Sequence, residues 1–287
     1  MKKGFAVCLA LTLLLTLTAC GKKKVESEPP APPPVTEEPT VEIPVELIPV
    51  ETVEIAADGV EGRLPGGDYD LPEEVIPMID WQWSGAVALL AEEGDVAFYA
   101  VEGKESSPAL LRWGDSQAEF DWWYSTPQAI EPELWVYDID GDGETEVVVD
   151  CYGGSGTGVS MEFLYVVEKE EDGTLVSYEL PWQAVAKALN QQLQTVNLAD
   201  RIYAALGREL VDISADLENI ETEQANVCLG QVVSYRPLED GLTCRFGVVA
   251  EGEGIPILSL YVAEIEGEVR YGSGVFTLEN LHLLSTK

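Results

Sequence analysis

The sequence is poor in the side chains on which many enzymes depend. It has a single histidine, His282, and none of its five cysteines stands in a CxxC spacing. A zinc site or a Cys–His nucleophile pair is therefore poorly supported. Motifs of the GxSxG, HExxH and SxxK types are also missing. These absences favour a protein that is not an enzyme.

Basic residues are scarce as well. Lysine and arginine together number 16 against 52 acidic residues, which gives a formal net charge of −36. A chain this acidic repels nucleic-acid phosphates, so we expect no nucleic-acid partner. The charge suits a soluble surface protein or one that attracts cations.

The apolar run near the start, Phe5–Ala19, is only fifteen residues long. That is too short for an ordinary membrane span, but after Lys2 and Lys3 it suits the core of a signal peptide. The run ends in Leu-Thr-Ala-Cys20, which resembles the lipobox of bacterial lipoproteins. The resemblance implies that residues 1–19 are a lipoprotein signal peptide and that cleavage leaves an acylated Cys20. An ordinary secretory signal with an incidental cysteine is the alternative.

Cleavage at that point would remove Lys2 and Lys3 and no acidic residue, taking the net charge from −36 to −38. The lipid on Cys20 would anchor the protein to the cell membrane, facing the extracytoplasmic side. Residues 20–70 then form the predicted linker, with eight prolines between Pro29 and Pro49 among many glutamates. Such a composition predicts an extended, disordered spacer, with a proline-rich ligand as the alternative.

Residues 71–287 predict a mostly β extracytoplasmic domain with antiparallel sheets and one clear amphipathic helix, an α+β fold. The helix should start after Pro181 and end around Leu193–Asn197. The domain is expected either as one unit or as two halves joined near Pro181. A hairpin turn is expected at Glu266–Glu268, and the glycine-rich segment Tyr152–Gly158 predicts a flexible loop between strands.

An acidic turn between two apolar segments, Tyr137–Val149, carries the clearest chemistry. Calcium binds six to eight oxygens, and alternate carboxylates in a tight turn supply them. A full EF-hand is absent, because Val149 stands where its twelfth-position glutamate would be. Glu146 would close the site instead, and Glu144 would contribute its backbone carbonyl. The predicted calcium ligands are Asp138, Asp140, Asp142, Glu144 and Glu146.

The pattern DxDGDGxxE between two strands resembles the calcium loops of FG-GAP and VCBS-type β-proteins. More broadly, the turn followed by the glycine-rich run Gly154–Gly158 resembles lipoproteins of Gram-positive gut bacteria, a resemblance that implies no particular activity. The resemblance to the calcium loops implies a structural Ca²⁺ that fixes two strands. A solvated turn without an ion is the alternative interpretation.

Six of the seven tryptophans lie between Trp81 and Trp135. Trp122 and Trp123 are adjacent, so their side chains point to opposite faces if both lie in a strand. Most of the rings should fill the core, but this pair offers a candidate contact with a ligand.

Three cysteines remain after Cys8 and Cys20: Cys151, Cys228 and Cys244. A disulfide between Cys228 and Cys244 is one hypothesis, and burial of all three as small hydrophobic residues is the favoured one.

Together these features predict a lipid-anchored extracytoplasmic surface protein with a structural calcium loop. We expect a non-catalytic binding or envelope-associated module whose partner is a protein or a glycan. The alternative is an extracytoplasmic hydrolase of glycans that uses a carboxylate pair such as Glu131 and Glu133.

Overall fold

Most of the described residues lie in strands, and some of these alternate buried with less buried side chains, as residues 263–272 do. The computed structural model describes residues 47, 49–75, 87–102, 108–125, 130–218, 225–238, 241–255 and 260–286. Within them lie seventeen strands and two helices, which confirms the predicted mostly β class. The strands are β1 (Val53–Ala56), β2 (Val60–Glu61), β3 (Val87–Glu93), β4 (Val96–Val101), β5 (Ala109–Trp113), β6 (Ser116–Phe120), β7 (Glu133–Tyr137), β8 (Glu146–Gly156), β9 (Val159–Lys169), β10 (Leu175–Glu179), β11 (Leu193–Leu198), β12 (Arg201–Leu206), β13 (Glu209–Asp212), β14 (Asn226–Leu238), β15 (Gly241–Glu251), β16 (Tyr261–Gly272) and β17 (Val275–Ser285), and the helices are α1 (Trp182–Asn190) and α2 (Ser214–Leu217).

Ten strands form the largest sheet, in the order β1-β17-β16-β15-β14-β9-β10-β2, with β8 and then β7 joined to β9. Neighbouring strands are antiparallel except β9 and β14, which run parallel over a short stretch. Strand β9 has β8 on one edge and divides its other edge between β14 and β10. The sheet therefore branches at β9, where β14 pairs with the first residues of the strand and β10 with the last.

Strand β8 is buried on both faces. Val147 and Val149 pack in one core with Phe98 from the four-stranded sheet β3-β4-β5-β6. Val148 faces a second core, which contains Phe246 of β15. A strand covered on both faces is an unbroken apolar run in sequence rather than an alternating one, as residues 147–149 are.

Helix α1 and the three-stranded sheet β11-β12-β13 complete the second core. Val185 and Leu189 of α1 are fully buried there together with Leu206 of β12. Residues on both sides of Pro181 contribute to this core, and Ile43–Lys287 forms one compact unit. The segments before and after Pro181 thus pack together through this core.

Two predicted boundaries are wrong. Helix α1 ends at Asn190, because Leu193–Leu198 pairs with β12 as strand β11. The expected turn at Glu266–Glu268 lies inside β16, and the hairpin turns instead at Ser273 and Gly274. A Cβ on Gly267 would lie 2.6 Å from Leu281 Cδ2, so this glycine makes room for packing rather than for a turn.

The predicted disordered linker is too long at its C-terminal end. Val53 and Ile55 are buried because β1 adds to the edge of β17, and β2 pairs with β10. Just before β1, the amide side chain of Gln192 accepts a hydrogen bond from Glu51 N at 2.8 Å and donates one to Glu51 O at 3.1 Å. The folded part therefore begins before residue 71.

The signal peptide, Cys20 and the linker up to residue 46 lie outside the described residues, as do Trp81 and Trp83. Among the described helices, none is long and apolar enough to cross a membrane.

Candidate metal site

The acidic turn connects β7 to β8, whose facing residues Tyr137 and Glu146 are paired in register. The eight residues between them therefore form a closed loop at the end of an antiparallel pair. Gly141 and Gly143 adopt φ values of 79° and 96°, a left-handed region that favours glycine. These two glycines let the chain reverse direction twice within the loop.

Backbone amides fix the carboxylates of the loop. Asp138 accepts hydrogen bonds from Gly141 N at 2.7 Å and from Gly143 N at 3.0 Å. Asp140 accepts one from Asp142 N at 3.1 Å, and Asp142 accepts one from Glu144 N at 2.8 Å. The carboxylates therefore have defined positions before any ligand arrives.

Three of the five predicted ligands converge. Asp138, Asp140 and Glu146 each offer a carboxylate oxygen, and these oxygens lie within 4.8 Å of one another. The carboxylates of Asp142 and Glu144 are not part of this group, and both residues are exposed. The donor set is all oxygen, which fits a hard cation such as Ca²⁺ and not a thiolate- or imidazole-seeking metal.

Glu146 is the unusual member of the group, since it is only 5 % exposed. Burial, with added repulsion from Asp140, Asp142 and Asp138, raises the pKa of Glu146 to about 7, although a hydrogen bond from Ile139 N at 3.0 Å opposes the rise. A cation among these oxygens would favour the ionised form and lower that pKa. The site is thus electrostatically unfavourable by itself and complementary to a cation.

The loop lies beside the turn between β16 and β17. A Cβ on Gly272 would lie 3.9 Å from Asp140 Cβ, and Ser273 borders the same hollow as Asp140 and Glu146. Glu168 and Glu170 border it too, with Lys169 as its one basic side chain. The candidate site therefore faces two segments that are remote in sequence.

Trp122 is buried, with 8 % of its surface exposed. Its indole Nε1 donates to Ser177 Oγ at 2.9 Å, and its ring lies nearly parallel to the rings of Phe120 and Tyr165, with centroids 4.9 and 4.8 Å away. These contacts place Trp122 in the core, so its flat faces are not open to a ligand.

Trp123 is exposed by 64 %. Its backbone N–H donates to the Tyr165 hydroxyl at 2.8 Å, and its indole Nε1 donates to Gly153 O at 3.3 Å. A Cβ on Gly153 would lie 2.9 Å from Trp123 Cδ1 and 2.2 Å from Phe163 Cε2. The indole is therefore held against a strand that must carry glycine at this point.

The glycine-rich segment was expected to be a flexible loop, and that prediction is wrong. Residues up to Gly156 belong to β8 and pair with β9, and only Thr157 and Gly158 form the turn. Packing explains the glycine at 153, where Phe163 and Trp123 leave no room for a side chain.

A second carboxylate cluster was not predicted. Asp150 on β8 is 4 % exposed, and its Oδ2 lies 3.5 Å from Arg236 Nη1. The same nitrogen lies 3.2 Å from Glu162 Oε2 and 4.0 Å from Glu133 Oε1, and Glu162 Oε2 also accepts a hydrogen bond from Tyr235 N at 2.9 Å. Among the described residues, Asp150 Oδ1 has no hydrogen-bond partner.

Burial and the neighbouring Glu162 carboxylate raise the pKa of Asp150 well above its usual range, against the opposing effect of Arg236. The sequence did carry a signal for this cluster. Asp150 directly follows the apolar run of residues 147–149, in a strand that is covered on both faces. An acidic residue in such a strand needs a partner from elsewhere in the fold.

Glu131 and Glu133, the carboxylate pair considered for a hydrolase, are both exposed, and Glu133 lies at the edge of the second cluster, 4.0 Å from Arg236 Nη1. Cys151, Cys228 and Cys244 are all free thiols, so the hypothesis of a Cys228–Cys244 disulfide is wrong. The two cysteines lie at different levels of the β14–β15 hairpin, since Cys228 faces Val249 and Cys244 faces Tyr235.

No protein-family model matches the chain, and searches of curated proteins and of solved structures also find no match. The case for a function therefore rests on the geometry of the residues themselves.

Proposed function

We propose that this protein is a lipid-anchored extracytoplasmic protein whose β domain is stabilised by a calcium ion in the Asp138–Glu146 loop. The convergence of carboxylate oxygens from Asp138, Asp140 and Glu146 within 4.8 Å carries the calcium part of this proposal. The anchor rests on the apolar run Phe5–Ala19 and the cysteine that follows it.

The ion would have a structural task. Glu146 begins β8, the strand buried between the two cores, and Asp138 directly follows β7. A cation bound by both residues ties the two strands together at the loop and neutralises a buried carboxylate. Calcium that binds the folded chain and not the unfolded chain raises the free energy of unfolding.

The test is thermal unfolding of the mature chain carrying Cys20→Ser, which leaves every described residue unchanged. We expect a higher melting temperature in calcium than in EDTA, and we expect Asp140→Ala to abolish the difference. Asp115→Ala is the matched control, because Asp115 is an exposed turn aspartate in another sheet and should leave the calcium effect intact. Equal melting temperatures for the parent chain in calcium and EDTA would refute the proposal.

We further propose that the domain is a non-catalytic binding module, with Trp123 as a contact for its protein or glycan ligand. An exposed indole that donates a hydrogen bond to Gly153 O, on a backbone that itself donates to the Tyr165 hydroxyl, loses little conformational entropy when a sugar ring or an apolar side chain packs on it.

A glycan array and an envelope-protein pull-down, each run with parent chain and Trp123→Ala, test this second part. The control is Leu64→Ala, which removes an exposed apolar side chain elsewhere. Loss of a captured ligand only in Trp123→Ala supports the role of Trp123, and equal capture by both variants contradicts it.

A further inference from the structure

A cleft of about 440 Å³ lies between residues 56–60, strands β6 and β10, and the start of α1. It is separate from the acidic loop and from the exposed face of Trp123. Its apolar wall includes Val60, Phe120, Trp122 and Pro181. Because the Trp122 ring is stacked with Phe120 and Tyr165, the wall offers apolar contact rather than a free aromatic face.

The polar side of this cleft is acidic. Asp58, Asp121 and Glu179 line it, and no lysine or arginine does. Asp121 is already held by Arg63, whose two Nη atoms donate to its carboxylate oxygens at 2.6 and 2.8 Å. Within the part of the chain that the structure describes, Asp58 and Glu179 form no ion pair.

Glu179 lies at the end of β10, directly before Leu180 and Pro181, where the chain turns into α1. Glu179 is exposed at the rim of the cleft, yet desolvation by the surrounding wall still raises the pKa of its carboxyl group. A partly desolvated carboxylate without a positive neighbour gains more from an incoming cation than a fully solvated one does. The cleft thus combines an acceptor that lacks a counter-charge with an apolar wall.

We propose that this cleft binds a small organic cation, with an ammonium group at Glu179 and an apolar body against Val60 and Trp122; Asp58 adds a second negative charge to the lining. A pocket of this size with one apolar side and a few converging polar groups is the usual form of a small-molecule site. The inference does not depend on the calcium site, since none of the lining residues belongs to the loop.

The experiment is isothermal titration of the mature Cys20→Ser chain with n-hexylamine and with 1-hexanol, two probes that share an apolar body and differ in charge. Titrations at 0.15 M NaCl limit the general attraction of cations to an acidic protein. We expect saturable one-to-one binding of hexylamine, and weaker binding of hexanol by about tenfold or more, the value of one charge-assisted hydrogen bond. Equal affinity for the two probes, or no saturable binding of hexylamine, would overturn the proposal.

Variants locate the effect. Glu179→Gln keeps the shape of the side chain and removes its charge, so hexylamine affinity should fall by about tenfold. Asp58→Asn should give a smaller loss in the same direction. Asp115→Asn, in an exposed turn of another sheet, should bind like the parent chain. An equal loss in Asp115→Asn and Glu179→Gln would show general charge attraction and refute a site at the cleft.

Running every titration in calcium and again in EDTA separates this inference from the proposed function. Failure of the calcium proposal appears as an unchanged melting temperature, whereas failure here appears as absent or charge-independent amine binding. Circular dichroism of Glu179→Gln confirms that the variant is folded before its affinity is compared.

Discussion

Two carboxylate clusters share one face of strand β8, and they are neutralised in different ways. Glu146 begins the strand at the loop, Asp150 lies four residues further on, and Val148 separates them in the second core. Beside Asp150, Arg236 lies within 3.5 Å and a raised pKa keeps a proton on the carboxyl group. Among the described residues, no basic side chain forms an ion pair with the loop carboxylates.

The two clusters differ in what balances their negative charge. The Asp150 cluster is balanced by the chain itself, through an arginine from β14 and a retained proton. The loop leaves its negative charge for an external cation to balance. In the presence of calcium, stability should therefore depend on the ion at the loop end of the strand and on pH at the Asp150 end.

The largest expected effect comes from removing the buried loop charge with Glu146→Gln. In EDTA the variant should be at least as stable as the parent chain, because a neutral amide replaces a carboxylate that is buried and is also repelled by three aspartates. In calcium the order should reverse, since the parent gains about 2.7 kcal/mol at a calcium concentration 100 times Kd and the variant gains little. Urea unfolding in both conditions measures this, and a full calcium gain in the variant would contradict the assignment of Glu146.

A smaller effect is expected from Arg236→Met, which removes the one cation that the described residues bring to the second cluster. Glu133, Asp150 and Glu162 would then face one another without it. Breaking a fully buried pair costs about 3–5 kcal/mol, and since the Arg236 side chain is 53 % exposed we expect about 1–2 kcal/mol.

Arg201→Met is the matched control for Arg236→Met, because Arg201 pairs with Asp212 at the surface. It should cost less than about 1 kcal/mol. Equal losses in the two variants, measured by chemical denaturation at constant calcium, would mean that the second cluster is no different from a surface ion pair.

The pH dependence should be altered by Asp150→Asn. Because the folded-state pKa of Asp150 is raised, the folded chain holds a proton that the unfolded chain releases, and stability falls as pH rises from about 4 towards that raised pKa. Asparagine removes this contribution, so the variant should gain on the parent by on the order of 1 kcal/mol as pH increases. Unfolding at several pH values in calcium tests this, and parallel pH profiles would refute it.

The smallest expected effect is the coupling between the clusters. Four residues of strand separate the Cα atoms of Glu146 and Asp150 by about 13 Å. Sites this far apart with no shared partner usually act additively within about 0.5 kcal/mol. A double-mutant cycle with Glu146→Gln and Asp150→Asn measures the coupling, and a value above 1 kcal/mol would mean that the two clusters form one electrostatic unit.

Local pattern was enough to point to the acidic loop, because its candidate ligands lie within nine consecutive residues, Asp138–Glu146, and glycines stand at its bends. For the second cluster, the sequence signals only the acidic residue Asp150 after an apolar run; its partners come from β7, β9 and β14 and meet it only when the sheet forms, so they could not be predicted. Alternation predicted that Trp122 and Trp123 differ in environment, but only packing decides which one is buried.

The end of α1 and the turn expected at Glu266–Glu268 were also predicted wrongly because contacts remote in sequence decide them. Residues Leu193–Asn197 continue the helical spacing of apolar positions, yet pairing with β12 takes them into a strand. Gly267 looks like a turn residue in sequence, and only the approach of Leu281 shows that it serves packing. Tertiary contacts decided each of these cases against local preference.

The position of β1 also determines how the domain would carry a mechanical load. A pull from the N-terminal side meets Val50, which lies close to Gly207, and then Glu51, which forms two hydrogen bonds with Gln192, before it passes into the β1–β17 ladder. Force applied along the strand loads all the hydrogen bonds between β1 and β17 at once, instead of breaking them one after another. Flow or friction acting on an anchored molecule would thus be resisted at the sheet edge before it could reach either core.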